Sequence, residues 1–186
     1  FGGIRIMAYS TIPKGNLYFN TKLYNGTGSS QSITGVGFQP DFIWAKKRNG
    51  AVDHALFDAI RGATKIISSN LGNAESTASG TITAFGSDGF TTGGDNETGG
   101  SGGTYASWNW KGAGTASANT DGSLSSSVSA NQTSGFSIVT YNGRDATDTI
   151  GHGLGAEPSV ILFKCRSTAG SDWYSYWKPL GNNSTI

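Results

Sequence analysis

Apolar and polar residues alternate with period two through most of this chain. Tyr18 to Tyr24 places Tyr18, Asn20 and Lys22 on one face and Phe19, Thr21 and Leu23 on the other. Thr104 to Lys111 alternates more strictly, with Tyr105, Ser107 and Asn109 opposite Ala106, Trp108 and Trp110. Such alternation predicts strands with two unlike faces. Further strands are predicted at Gln31 to Val36, Asp41 to Lys47, Thr64 to Ser69 and Gly135 to Tyr141, with a weak one at Leu124 to Val128. Thr81-Ile82-Thr83-Ala84-Phe85 and Gly89-Phe90-Thr91-Thr92 flank Ser87-Asp88-Gly89, the pattern of a hairpin. Val52 to Ile60 also fits helical spacing. A second occurrence of the same stretch decides for a strand over Asp53 to Ala59.

That second occurrence organises the chain. Tyr24-Asn25-Gly26 recurs as Tyr141-Asn142-Gly143, and Gly35-Val36-Gly37-Phe38-Gln39-Pro40 as Gly153-Leu154-Gly155-Ala156-Glu157-Pro158. Lys46 falls on Lys164, Asp53 on Asp172 and Gly62 on Gly181. The counterpart of Val52 to Ile60 is rich in Trp and Tyr, which favours extended backbone. The spacing of about 118 residues is far beyond the 20–50 of solenoid repeats, so the pattern is a duplicated domain. The expected organisation is a lead-in over 1–17, a β-sandwich unit over 18–141 and the start of a second unit over 142–186. Met7 follows Gly2-Gly3, whose codons can spell a ribosome-binding site, so Met7 is the expected native start. Phe1 to Ser10 lacks the basic and apolar regions of a secretory leader.

Composition narrows the class. Among 186 residues there are 29 glycines, and 13 basic residues balance 12 acidic ones. Aromatics at 11% supply a core, and the near-neutral charge argues against nucleic-acid binding. No run of 18 apolar residues is present, so no membrane-spanning helix is expected. About ten short strands between Gly, Ser, Thr and Asn turns predict an all-β, two-sheet antiparallel sandwich. Gly93 to Gly103 is polar and glycine-rich and is expected to be a mobile surface loop.

Candidate chemistry is sparse. No G-x-S-x-G elbow is present. His152 stands where the first copy has Thr34, which makes it a poor catalytic residue. Gly151 to Gly155 resembles part of a dinucleotide fingerprint, but Pro158 forbids the helix that must follow. Asp53, Asp58, Asp88, Asp95 and Glu97 form no glycosidase-like cluster on a strand. Asp95-Asn96-Glu97 lacks the spacing of a calcium loop, and neither a metal nor a cofactor is expected. The lone cysteine, Cys165, has no disulfide partner and is expected in a core or strand position. Asn25, Asn96 and Asn131 head glycosylation sequons of the kind that arise by chance in such a composition.

The tryptophans offer binding rather than catalysis. Aromatic faces stack on the apolar C–H surface of sugars. The candidate ligand-binding residues are Asp53, His54, Arg61, Trp108 and Trp110. Each has a plainer alternative: core packing for the tryptophans and for Trp44, a structural hydrogen bond for His54, and an ion pair with Asp58 or Asp53 for Arg61.

Several separated stretches carry a family resemblance: MAYSTIPKGNLYFNTKLYNGTGS, QSITGVGFQPDFIWAKKR, DHALFDAIRGATKIISSN, SDGF, TYASWNWKGAG and SGFSIVTYNG with IGHGLGAEP. From Met7 onward the chain resembles a domain family of unknown biochemical function in virion proteins of tailed, especially marine, phages. The resemblance implies a structural protein of a tail fibre or other appendage, located at the virion surface after synthesis in a bacterial cytoplasm. It implies a concanavalin-like jelly roll, other virion proteins as partners and a homo-oligomer, the trimer being usual for fibres. Recognition of host-surface glycan is expected, and enzymatic activity is not. A polysaccharide hydrolase or lyase on the same scaffold is the first alternative. A capsid-decorating protein without a ligand is the second.

Overall fold

A computed structural model describes residues 14–180. The expected start at Met7 and the end of the second copy at Gly181 lie outside the described residues.

The chain is all-β. Its strands are β1 (Phe19–Asn25), β2 (Gln31–Ile33), β3 (Phe42–Lys47), β4 (Ala55–Asp58), β5 (Lys65–Ser68), β6 (Ser76–Thr77) and β7 (Ile82–Gly86). They continue with β8 (Gly89–Thr92), β9 (Thr104–Trp110), β10 (Ser117–Asn119), β11 (Ser126–Asn131), β12 (Phe136–Tyr141), β13 (Val160–Lys164) and β14 (Trp173–Trp177). Short 3-10 turns occupy Gly15–Leu17 and Lys178–Leu180. One sheet has the order β1-β9-β3-β4-β5-β6, and a second has β2-β8-β7. Two smaller sheets follow, β10-β11-β12 and β13-β14. Every ladder is antiparallel, apart from one isolated parallel bridge between Leu124 and Ile150.

The first two sheets make the sandwich. Ile43, Ala45, Ala55, Phe57 and Ile66 project from the six-stranded sheet onto Ile33, Ile82 and Phe90 of β2-β8-β7. Period two thus sends alternate residues of β3 inward, and Ile43 and Ala45 are fully buried.

In β9 the face assignment is the reverse of what its composition suggests. Tyr105, Ser107 and Asn109 are fully buried, whereas Trp108 and Trp110 stand half-buried on the outer face. The buried polar face is satisfied only in part: Asn109 Nδ2 donates to the Asn20 carbonyl at 3.0 Å and to Ser107 Oγ at 3.1 Å, while Asn109 Oδ1 is buried with no partner among the described residues. Trp44 also lies half-buried on the outer face rather than in the core.

The expectation of a mobile loop at Gly93 to Gly103 is also corrected. This segment folds over the inner face of β1 and β9. Tyr24 Oη donates to the Thr98 carbonyl at 2.8 Å, and Tyr105 Oη to the Asn96 carbonyl at 3.0 Å. The Gly26 and Gly28 amides donate to the Gly103 and Gly99 carbonyls, each at 2.8 Å. Glycine here permits backbone to lie directly on backbone. A Cβ on Gly99 would overlap the Gly93 carbonyl oxygen.

The sequence repeat has a structural echo. Gly35 and Gly37 have φ of 78° and 90°, and their counterparts Gly153 and Gly155 have 71° and 69°. Lys46 Nζ donates to the Val52 carbonyl at 2.7 Å, and Lys164 Nζ to the Ser171 carbonyl at 2.6 Å. In both copies a strand-end lysine closes the connection to the next strand. Cys165 is exposed at the end of β13, and Thr168 and Ser167 draw its thiol pKa down to about 7.

Candidate functional site on the outer sheet face

The register of β1, β9, β3 and β4 arranges the outer face in rungs. Phe19, Trp110 and Phe42 form the first rung, and Thr21, Trp108, Trp44 and Leu56 the second. Leu23 and Ala106 begin the third, and Lys46 lies opposite Ala106.

The first rung is covered. Phe136 of β12 stacks on Trp110 with centroids 6.1 Å apart and tilts against Phe42 at 6.0 Å. Phe19 closes on Trp110 from β1 at 4.8 Å. Trp110 therefore acts as a joint between the large sheet and β10-β11-β12.

The second rung joins buried Leu56 to half-buried Trp44 and Trp108, and the third sets buried Ala106 beside exposed Leu23. Trp44 and Trp108 meet edge to face at 6.4 Å, and Leu23 beside them is 63% exposed. His54, one residue before β4, lies edge-on to Trp44 and accepts its indole N–H at Nδ1, at 2.9 Å. Burial, then the neighbouring Lys46 ammonium, lower the His54 pKa against a smaller opposing pull from Asp53. The imidazole is thus neutral at pH 7. With Nδ1 accepting, its proton resides on Nε2, which is a donor.

Asn70 fixes the shoulder of this platform. Its Nδ2 donates to Asp53 Oδ1 at 2.7 Å, and its Oδ1 accepts the His54 amide at 3.0 Å. Across the nearby loops, burial raises the Glu97 pKa, with further contributions from Asp95 and Asp53. Among the described residues no three His, Cys, Asp or Glu side chains are placed to hold a metal ion.

The structure therefore brings together Asp53, His54 and Trp108, and places Trp110 under Phe136. Arg61 stands apart. Its side chain is 2% exposed, is paired with Asp58 through Nε and with Glu75 at 3.2 Å, and donates to the Leu56 carbonyl at 3.0 Å. All of its reach is spent inside the fold. Trp44 and Asn70 belong to the platform and were not among the residues that the sequence singled out. Trp44 had a readable signal, because period two puts it on the same face as Lys46, which favours an outer position.

The remaining acids named from sequence have structural partners. Asp88 accepts the Gly35 and Gly37 amides, and Asp95 Oδ1 accepts the Glu97 amide at 2.9 Å. No helix of the described residues is long and apolar enough to cross a membrane.

No curated protein and no solved structure matches the chain. A family model described as a domain of unknown function (DUF7483) matches residues 14–186. The chain belongs to this DUF7483 family.

Proposed function

We propose that this chain is an adhesive structural unit of a phage virion appendage, a tail fibre or similar, with a lectin-like sandwich that takes host-surface glycan on its outer face. The supporting observation is the half-buried Trp44–Trp108 pair beside a neutral His54. Trp108 offers an apolar ring for sugar C–H faces. His54 Nε2–H and the Asp53–Asn70 pair offer polar groups on the other side of Trp44. Few polar groups around an aromatic surface is the usual composition of a small-ligand site. The assignment to a virion rests on the sequence resemblance, and other virion proteins and further copies of the chain are the partners it implies.

The test is a glycan array with whole-cell binding, using the protein and a Trp108→Ala variant. Saturable binding to a defined sugar is expected, weakened about tenfold or more in the variant (about 1.4 kcal/mol per tenfold). Binding should also weaken in acid, below the ordinary histidine range, when His54 protonates and Nδ1 can no longer accept the Trp44 indole N–H. Shortened polysaccharide would replace this reading with a hydrolase or lyase. Neither binding nor cleavage would leave a purely structural role.

A further inference from the structure

We propose that the cleft beside Asp41 is a docking site for an arginine side chain presented by a partner polypeptide. Among the described residues two acids are buried, Asp58 at 5% and Asp41 at 2% exposure. Asp58 has the Arg61 guanidinium beside it. Asp41, the residue before β3, has only neutral donors: Gln39 Nε2 on Oδ1 at 2.8 Å and the Gly114 amide on Oδ2 at 3.2 Å. No lysine, arginine or histidine among the described residues pairs with it. A buried carboxylate without a counter-charge is costly, and it lends negative potential to the surface nearest to it.

That surface is a cleft of about 410 Å³, within the ~300–1,000 Å³ range of small-ligand sites. The Gln39 side chain and Gly114, which hold Asp41, both line it. Ala59, Ile60, Phe85 and Thr115 complete the lining, and all of these residues belong to the first copy. The loop that forms one wall is fixed in place. Gly114 has a φ of 73°, a left-handed conformation that glycine adopts readily, and its amide reaches Asp41. The Ala113 amide donates to Ser129 Oγ at 2.8 Å, and a Cβ on Gly112 would meet that same oxygen at 2.9 Å. The cleft is thus shaped before any ligand arrives.

Its chemistry selects the occupant. Because Gln39 commits Nε2 to the carboxylate, its Oε1 is left as an acceptor. The exposed Thr115 adds a hydroxyl at the rim. Ala59, Ile60 and Phe85 match an apolar stem. Acceptors, negative potential and apolar walls together fit a cation carried on an aliphatic chain. Arginine suits this better than lysine. Asp41 is sealed behind Gln39 and Gly114, so the cation must shed water without a carboxylate to replace it. A guanidinium is the more weakly hydrated of the two, carries five donors and lies flat against an aromatic ring such as Phe85.

The test titrates N-acetyl-arginine-N-methylamide into the whole 186-residue protein and follows backbone amide shifts by NMR. Saturable shifts at Ala59, Gly114 and Thr115 are expected at millimolar probe. The citrulline analogue keeps the shape without the charge and should bind about tenfold more weakly. Asp41→Asn should weaken binding of the arginine probe about tenfold as well. Thr115→Trp fills the cleft from an exposed position and should abolish binding with the fold intact, so the test stands even if Asp41→Asn fails to fold. Equal binding of the arginine and citrulline probes would overturn the proposal, as would tighter binding of the lysine analogue or shifts that survive Thr115→Trp. Glucosamine, a cationic sugar, binding as well as the arginine probe would assign the cleft to glycan and overturn the polypeptide partner. Absence of any shift would overturn it too, and would leave Asp41 as a pin for the Gly112–Gly114 loop.

Discussion

The two copies share their local rules and differ in what covers them. Tyr24 to Gly62 and its counterpart from Tyr141 repeat the paired left-handed glycines and the lysine that closes the strand connection. These are short-range devices, and they reproduce wherever the sequence reproduces. Burial does not follow. Ala45 and Ala55 are sealed in the first copy, while the equivalent Phe163 and Tyr174 stand open with much larger side chains. Local sequence sets the turn and the strand; non-local partners decide whether a face becomes core. The copies also diverge at Arg61, whose counterpart is Leu180. Among the described residues only the first copy carries a buried guanidinium, and that group reaches the second copy through Glu75, which also holds Arg166 at 2.9 Å.

The sharpest way to break this contrast is at that junction. Arg61→Ala leaves Asp58 buried without its partner, and should cost about 3–5 kcal/mol. Arg166→Ala removes a guanidinium that is 41% exposed, and should cost no more than about 1 kcal/mol. Urea midpoints at pH 7 compare them directly. Equal losses would mean that the second hairpin supports the sandwich, rather than resting on it.

Strand positions were legible because period two is a strong local signal. Thr104–Trp110 and Phe136–Tyr141 sit where alternation placed them. β6 and β10 escaped notice, since Ser76–Thr77 and Ser117–Asn119 are short and carry no apolar alternation. Which face of β9 points inward was not legible. Two tryptophans look like core, yet Asn109 donates to Ser107 inside, and Phe136 from a distant strand covers Trp110 outside. Of the candidate site, Asp53, His54 and Trp108 gather around Trp44, while Arg61 makes the ion pair with Asp58 that the sequence offered and adds Glu75, a partner 14 residues on. No spacing rule announces that contact.

The Gly93–Gly103 segment sharpens the same contrast between local and non-local control, with a smaller effect. Its composition is that of a linker, yet it packs because glycines let two backbones touch. Gly99→Ala forces the loop off Gly93 and should cost about 1–3 kcal/mol as overpacking. Hydrogen exchange should show faster exchange at Gly26 and Gly28, whose amides donate to Gly103 and Gly99. An unchanged midpoint would restore the mobile loop.

The smallest effect concerns the glycine turns, where acid should make the two copies more alike. Asp88 is held below its ordinary pKa by the Gly35 and Gly37 amides, with Lys22 helping. A carboxylate whose folded pKa is lowered stabilises the fold above its unfolded value, about 3.9. That contribution disappears as pH falls through the folded value. The stability gap between wild type and Asp88→Asn should therefore hold from pH 7 down to about 4 and shrink below it. The exchange rates of Gly35 and Gly37 should then approach, after correction for intrinsic rates, those of Gly153 and Gly155, which have no such carboxylate among the described residues. A gap equally wide at pH 3 and pH 7 would show that the Asp88 charge is irrelevant, and that the glycine conformation alone holds the turn in both copies.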